Sequence, residues 1–467
     1  MLFNSVIYFV FLTIAVLVYW RLPWRQQNLF LLGASYVFYG YWDWRFLSLM
    51  LMSTLVDFFC AKIISKSDDQ VKRRSLLTLS LLLNFGFLGF FKYFNFFIDS
   101  AAMVLSSAGV SVPVQLLQIV LPPGISFYTF QAVAYIVDVY YKKLEPAENL
   151  VDYALFISFF PHLIAGPIQR PSHLLPQCQK PRQFDAGWFC DGLLLIASGL
   201  FRKLVIADNC GAIANAAFDG HLGSNAAVML LGVYAFAWQI YGDFSSYSDF
   251  ARGSAQLMGF HFMVNFKQPY LSTSLQEFWR RWHISLSTWL RDYLYIGLGG
   301  NRLGTARTYY NLMVTMLLGG LWHGANWTFV VWGAIHGVGL AIERFVTNGK
   351  PQQASTALGR IGQRLFIFHI VCLSWVFFRA SSVNAAFNFL GGLRTFVWKP
   401  QYAQPWILLS ALVITMLLVD LLLEKTKEEY PFALQGNWRR VSAALAMLVL
   451  ALVFSASESN AFIYFQF

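Results

Sequence analysis

The sequence predicts an all-α polytopic membrane protein, and three observations support that class. Hydrophobic residues make up 57% of the 467 residues and charged residues only 12%, with a mean hydropathy of +0.52, far from the balance of soluble domains. Long apolar runs alternate with short basic clusters, as spans alternate with loops. Aromatic residues reach 18%, enough to form belts at both membrane interfaces. At about 20 residues per crossing, the apolar runs predict about ten to twelve transmembrane helices.

Basic residues predict how these helices are oriented. The first apolar run, from Val6 to Trp20, is expected to be a retained span, and Arg21 and Arg25 place its end in the cytoplasm. The N-terminus is therefore expected outside. A second basic cluster precedes the last apolar run and places the C-terminus outside as well: Lys425, Lys427, Arg439 and Arg440. Three basic residues disagree with this topology: Arg379, Arg394 and Lys399. Because the net charge of +11 lies in such loops, no nucleic-acid partner is expected.

The chain shows no internal repeat and no linker rich in serine, glycine or charge. Residues 1–467 are therefore expected to form a single membrane-embedded domain. Its more polar middle runs from Lys267 to Arg307, and within it the stretch SLQEFWRRWHISLSTWLRDYLY predicts a helix lying in the membrane interface. Apolar residues recur along it at helical spacing: Phe278, Trp282, Leu286, Leu290 and Leu294. Glu277 and Arg281 have the spacing of a helical ion pair, and His283 lies close by.

The stretch LWHGANW places His323 inside a nearly uncharged segment that runs from Thr308 to Ala341. Basic residues flank this segment on both sides, so it is expected to enter the membrane and return. Three glycines mark where it would turn: Gly319, Gly320 and Gly324. Non-helical backbone at membrane depth lines a cavity, which places His323 near one. An ionisable residue there indicates function, and the alternative is an imidazole that only links helices.

Other motifs are weaker. On one continuous helix His336 would point away from His323, which favours a structural role. In YGDFSSYSDFARG, Asp243 and Ser245 follow an apolar segment directly, and a polar helix end and a functional site both stay open. The five cysteines form no CxxC pair and no zinc-binding spacing, so no metal is expected. No HExxH, GxSxG or phosphate-loop motif occurs.

The chain resembles the membrane-bound O-acyltransferases over nearly its whole length. The motifs that carry this resemblance are SFYTFQAVAYIVDVYY, FPHLIAGPIQR, YGDFSSYSDFARG, EFWRRWHISLSTWLRDYLYIGLGGNR, LLGGLWHGANWTFVVWGAIHG, WVFFRA and FIYFQF. They are similar to the bacterial branch that acylates exported polymers, including the alginate O-acetyltransferase membrane subunit. The resemblance implies re-entrant and interfacial helices around a central funnel. It also implies that His323 is the catalytic general base at the bottom of that funnel and that His283 is a second catalytic position.

The resemblance further implies transfer of an acyl group, in particular acetyl, from a cytosolic thioester donor. Acetyl coenzyme A is the expected donor, with no bound cofactor, and the acceptor is an exported polysaccharide or a periplasmic acyltransferase partner. The implied location is the bacterial inner membrane. Arginines can pair with donor phosphates, although anchoring to lipid headgroups would suit them equally. The residues expected to bind substrate or donor are Trp322, Asn326, Arg280, Arg281, Arg291, Asp243 and Ser245.

Three alternatives are open from the sequence alone. One is transfer of D-alanyl from a carrier protein, which changes the donor but not the chemistry. Another is a proton-coupled transporter or flippase with histidine relays, a class in which paired repeats are expected. The last is a structural scaffold for an export complex, in which another polar residue could replace His323.

Overall fold

The computed structural model describes residues 3–110, 116–164, 166–350, 353–456 and 462–463. Within these ranges every regular element is helical and no β-strand occurs, which confirms the predicted all-α class. The chain divides into two compact units. The first comprises Met1–Gly192 and Phe250–Met263, and the second comprises Leu193–Asp249 and Val264–Phe467. The single domain expected from the sequence stays a prediction.

The first unit is held together by apolar helices that enclose a few paired polar groups. Tyr8 and Ser254 share a hydrogen bond of 2.6 Å between their hydroxyls, and the Trp20 indole donates to the Leu257 carbonyl at 2.9 Å. Buried polar groups need such partners. The helices are α1 Val6–Tyr19, α2 Trp24–Asp43, α3 Leu47–Lys66, α4 Gln70–Leu88, α5 Phe94–Ser107, α6 Ile125–Tyr140, α7 Leu150–Ser158, α8 Phe160–Leu163, α9 Pro171–Cys178 and the start of α10 Ala186–Phe201.

The second unit carries both predicted catalytic histidines. Two of its helices are extended by π-helical turns, at Arg202–Ala207 after α10 and at Leu290–Tyr295 after α14. The remaining helices are α11 Asp208–Phe218, α12 Ala226–Leu257, α13 Leu275–Arg281, α14 Ile284–Trp289, α15 Thr305–His323, α16 Trp327–Thr347, α17 Ala357–Arg379, α18 Val383–Gly391, α19 Ala403–Thr426 and α20 Asn437–Phe454. The last residues of α12 belong to the first unit.

Seven helical stretches of the described residues are long and apolar enough to cross a membrane. They are Trp24–Lys66, Gln70–Ser107, Ala226–Leu257, Trp327–Thr347, Ala357–Arg379, Pro400–Thr426 and Asn437–Phe454. The first two contain 43 and 38 residues, about twice what one crossing needs. The protein is therefore a multi-pass membrane protein, whereas the count of ten to twelve crossings and the central funnel stay predictions.

Candidate active site

The segment around LWHGANW forms a helical hairpin, as the sequence predicted. Helix α15 ends at His323, Gly324 is extended with φ −164°, and α16 begins at Trp327. Asn326 caps α16, because its side-chain oxygen accepts the Thr328 amide at 2.9 Å. The predicted turn was wrong for Gly319 and Gly320, which lie inside α15, and right for Gly324. His323 thus lies at the closed end of the hairpin, directly before the turn.

Glycines bring the two helices of this hairpin into backbone contact. A Cβ atom added at Gly320 would lie 2.2 Å from the Phe329 carbonyl oxygen, and one at Gly333 would lie 2.4 Å from the Met316 carbonyl oxygen. Real Cβ atoms do not approach so closely, so only glycine fits at these two positions. Gly320 and Gly333 are therefore packing residues, and this packing fixes the end of α15 that carries His323.

The second histidine lies where the predicted interfacial helix breaks, so a single continuous helix was wrong. Helix α13 ends at Arg281, α14 begins at Ile284, and His283 between them has the left-handed φ of +43°. The break has a long-range cause, because the Asn265 carbonyl accepts the Ile284 amide and the Arg281 carbonyl accepts the Lys267 amide, both at 2.9 Å. These hydrogen bonds outweigh the local helical pattern. The predicted apolar stripe is nevertheless largely buried.

The structure brings the two predicted catalytic imidazoles together. The ring centroids of His283 and His323 are 6.4 Å apart, and the side chains are 0% and 4% exposed. The indole of Trp322 lies 5.8 Å from the first ring and 5.1 Å from the second. Aromatic rings complete the surroundings: Phe244 at 4.6 Å from His283, and Trp332 and Phe378 at 5.1 and 5.2 Å from His323. Aromatic rings therefore surround the two buried imidazoles.

The two nitrogens of His283 differ in their surroundings. Nδ1 lies 3.2 Å from the side-chain oxygen of Asn265, whereas Nε2 is buried and has no hydrogen-bond partner among the described residues. His283 lies outside the seven candidate spans, and burial lowers the pKa of its imidazole to about 3. The ring is therefore neutral near pH 7 and keeps one nitrogen lone pair, which a substrate N–H or O–H can use.

His336 has a partner of its own, in keeping with the structural role predicted for it. Its Nε2 lies 3.0 Å from the Ser374 hydroxyl, which donates to the Val371 carbonyl and so accepts from the imidazole. The reason given for its role was wrong, because α15 and α16 are not one continuous helix. Both His323 and His336 contact the indole of Trp332, at 5.1 and 4.8 Å between centroids.

The three arginines predicted to bind the donor have different settings. Arg281 forms the predicted pair with Glu277 at 2.7 Å and a second one with Glu424 at 2.7 Å. Its charge is thus balanced within the protein, and it fastens α13 to α19. Arg280 is exposed, and exposed Arg291 pairs with its neighbour Asp292 at 2.7 Å. Donor binding by these arginines stays a prediction.

Asp243 and Ser245 have partners within their own unit. The Asp243 carboxylate pairs with buried Lys203 at 2.9 Å and accepts the Ile463 amide at 2.8 Å. Lys203 also pairs with Asp208 at 2.8 Å. The Ser245 hydroxyl donates to the Gly242 carbonyl at 3.4 Å. These contacts favour an anchoring role for Asp243, and its neighbour Phe244, which the sequence did not single out, is the residue that contacts His283.

Two asparagines differ from the expectation from sequence: Asn326 has structural partners, and Asn265 contacts a predicted catalytic histidine. The Asn326 amide caps α16 through its oxygen, and its nitrogen donates to the Ser381 carbonyl at 3.1 Å. Both the oxygen and the nitrogen of that amide have protein partners, which explains Asn326 as a structural residue. Its role in substrate binding stays a prediction. Asn265, which the sequence did not single out, contacts His283 directly. A lone asparagine in HFMVNFKQPY gives no sequence signal for such a contact.

Comparison with known proteins identifies the family to which this fold and site belong. The model of the MBOAT, membrane-bound O-acyltransferase family, matches residues 141–383, which contain both His283 and His323. The chain belongs to this family, and it is an O-acyltransferase.

Particular relatives narrow the branch. The probable alginate O-acetylase AlgI of Pseudomonas putida is 39% identical over 100% of both chains. The protein of that name from Azotobacter vinelandii is 44% identical over 85% of this chain and 78% of its own. The peptidoglycan O-acetyltransferase of Helicobacter pylori is 32% identical over 100% of this chain and 98% of its own. The predicted alginate O-acetyltransferase branch is thereby confirmed.

Proposed function

We propose that this protein transfers an acetyl group from a cytosolic thioester donor, with acetyl coenzyme A as the donor. The acceptor is a hydroxyl of an exported polysaccharide, reached directly or through a periplasmic acyltransferase partner. The location that suits this task is the bacterial inner membrane. The names of the relatives, alginate O-acetylase and peptidoglycan O-acetyltransferase, support a glycan acceptor. The observation that carries the proposal is the buried pair of His283 and His323, 6.4 Å apart.

His323 serves as the general base in this proposal. The acceptor oxygen attacks the thioester carbonyl, and His323 takes the hydroxyl proton as the new O–C bond forms. The C–S bond then breaks, and the imidazolium returns the proton to the departing sulfur, which leaves as a thiol. The ester product and the free thiol together account for every atom of the two substrates. General acid–base catalysis of this kind contributes about 10² to 10⁴ in rate.

His283 binds a substrate in this proposal and does not transfer a proton. Its neutral ring offers a lone pair at Nε2, which accepts a hydrogen bond from the acceptor or from an amide of the donor arm. The aromatic walls of Trp322, Trp332 and Phe378 keep bulk water from the thioester, which limits hydrolysis. In a buried site lined by aromatic rings each hydrogen bond also has more effect than in water.

D-alanyl transfer from a carrier protein is the second candidate. It uses the same thioester chemistry and the same two imidazoles, so the described geometry is compatible with both donors. The relatives that match nearly the whole chain carry acetylation names, and this favours acetyl. The transporter and scaffold alternatives lose their basis, because the chain belongs to an acyltransferase family.

The test is transfer from radiolabelled acetyl coenzyme A to exported polymer in membrane vesicles at matched protein levels. We expect His323→Ala to lower the rate about 10²- to 10⁴-fold. His369→Ala is the matched control, since this exposed histidine pairs with Tyr234 at 2.9 Å, and we expect it to retain wild-type transfer. Normal labelling by His323→Ala would contradict the proposed base. Labelling only from a D-alanyl carrier would replace acetyl by the second candidate.

A further inference from the structure

Asn265 lies at the centre of the hydrogen bonds that hold the second histidine. It is 1% exposed and belongs to the segment that follows α12. Its side-chain oxygen lies 3.1 Å from the Ser285 amide nitrogen, 2.9 Å from the Ser285 hydroxyl and 3.2 Å from Nδ1 of His283. Its backbone carbonyl accepts the Ile284 amide at 2.9 Å. One residue therefore contacts three successive residues of the break between α13 and α14.

The orientation of the Asn265 amide is fixed by chemistry. A backbone N–H can only donate, so the Asn265 atom that faces the Ser285 amide must be the oxygen. A flipped amide would set its NH₂ group against that N–H. The amide nitrogen has no hydrogen-bond partner among the described residues. The orientation is therefore set by the donors that surround the oxygen, which are the Ser285 amide, the Ser285 hydroxyl and Nδ1 of His283.

This orientation decides which nitrogen of His283 carries the proton. The Asn265 oxygen can only accept, so Nδ1 at 3.2 Å must be the donor. The Ser285 hydroxyl lies 3.5 Å from Nδ1 but 2.9 Å from the Asn265 oxygen, so it donates to the amide. In the opposite tautomer, the lone pair of Nδ1 would face a lone pair of the Asn265 oxygen. Nε2 would then carry a buried N–H without a partner among the described residues. The lone pair of His283 is thus at Nε2.

The backbone of His283 supports the same conclusion. A φ of +43° is unfavourable for a residue with a side chain. Such a conformation persists when its surroundings enforce it, and both the carbonyl and the side-chain oxygen of Asn265 bind the residues that follow. The imidazole is therefore held in place as well as in one tautomer.

We infer that Asn265 is a positioning residue, which fixes the proton of His283 on Nδ1 and so presents Nε2 as a hydrogen-bond acceptor to substrate. The ligand at Nε2 is a donor group, either the acceptor hydroxyl or an amide N–H of a thioester arm. This inference rests on the proposed function. Rings that contact His283 include Phe244 from α12 and Trp322 and His323 from α15, and His323 is the ionisable residue among these three.

Two substitutions at Asn265 separate an acceptor role from simple packing. Asn265→Leu keeps the branched shape but removes the oxygen, and we expect a loss of about ten- to hundredfold in transfer, the range found when the partner that orients a metal-bound imidazole is removed. Asn265→Asp keeps an oxygen at each of the three contacts, and we expect most of the transfer at pH 8. Asn311→Leu is the control, because Asn311 is equally buried and donates to the Leu298 and Gly300 carbonyls.

The pH profile gives a readout that packing alone would not move. The added carboxylate of Asn265→Asp stabilises the charged imidazole and raises the pKa of His283. If that pKa returns to its ordinary value near 6.5, the rate at pH 6 relative to pH 8 falls about fourfold compared with wild type.

The outcomes divide cleanly. Wild-type transfer by Asn265→Leu at matched protein level would overturn the inference, as would equal losses in Asn265→Asp and Asn265→Leu at pH 8. If Asn265→Leu does not accumulate, the pH ratio of Asn265→Asp decides, and an unchanged ratio overturns the inference. Failure of the proposed function is a different result, namely normal labelling by His323→Ala, so the two failures are distinguishable.

Discussion

The two histidines of the site are held in contrasting ways. His323 ends a helix whose position is set locally, by a short turn and by glycine contacts within one hairpin. His283 lies in a break between short helices that is held by Asn265, a residue remote in sequence. Local packing therefore positions His323, whereas a long-range hydrogen-bond network positions His283. The two supports can therefore be broken separately.

The largest effect on the hairpin is expected at Gly320. A Cβ atom there would lie 2.2 Å from the Phe329 carbonyl oxygen, so Gly320→Ala must push α15 and α16 apart. We expect a loss of about 1–3 kcal/mol in the free energy of unfolding, the usual cost of overpacking, seen as a lower Tm in detergent. Transfer per folded molecule should also fall, because His323 shifts with the end of α15.

The matched control for this change is Gly362→Ala in α17. An added Cβ at Gly362 meets no atom within 4 Å, and alanine favours helix over glycine by about 1 kcal/mol. We expect an unchanged or higher Tm. An equally stable Gly320→Ala protein would show that backbone contact does not hold the hairpin.

A smaller effect is expected at Asn326, which separates a helix cap from a substrate-binding residue. Asn326→Ala removes the acceptor of the Thr328 amide and should cost about 1 kcal/mol of stability, as for other N-caps. Because its amide already has protein partners, transfer per folded molecule should change little. Asn326→Ser retains a capping oxygen and should restore the Tm. A large loss of transfer in both variants, with a normal Tm, would instead assign Asn326 to substrate binding.

Much of the fold was predictable from the sequence because composition and periodicity report on the solvent around each segment. Apolar runs predicted membrane helices, since a chain in lipid must satisfy its backbone within helices. The basic residues on both sides of the uncharged segment around LWHGANW predicted a hairpin. The resemblance pointed to both histidines, which the structure then placed side by side. The helices, the hairpin and the two histidines could therefore be predicted from short sequence segments.

The remainder depends on contacts between distant residues. The apolar stripe around Trp282 predicted a continuous helix, and hydrogen bonds to Asn265 interrupt it. Gly319 and Gly320 suggested a turn, yet close helix packing also requires glycine, and periodicity alone does not separate the two uses. Asp243 gave no indication of Lys203, its partner in a buried ion pair. Such pairings become visible only when the chain is folded.

The most direct test of the account is whether the two imidazoles act as one unit. Transfer from labelled acetyl coenzyme A would be measured for His283→Ala, His323→Ala and the double variant at matched protein levels. Residues that act together in one step show strongly non-additive losses, so the double variant should transfer about as fast as His323→Ala alone. If the two losses instead multiply, the histidines act independently, and a single site built on both rings would be contradicted.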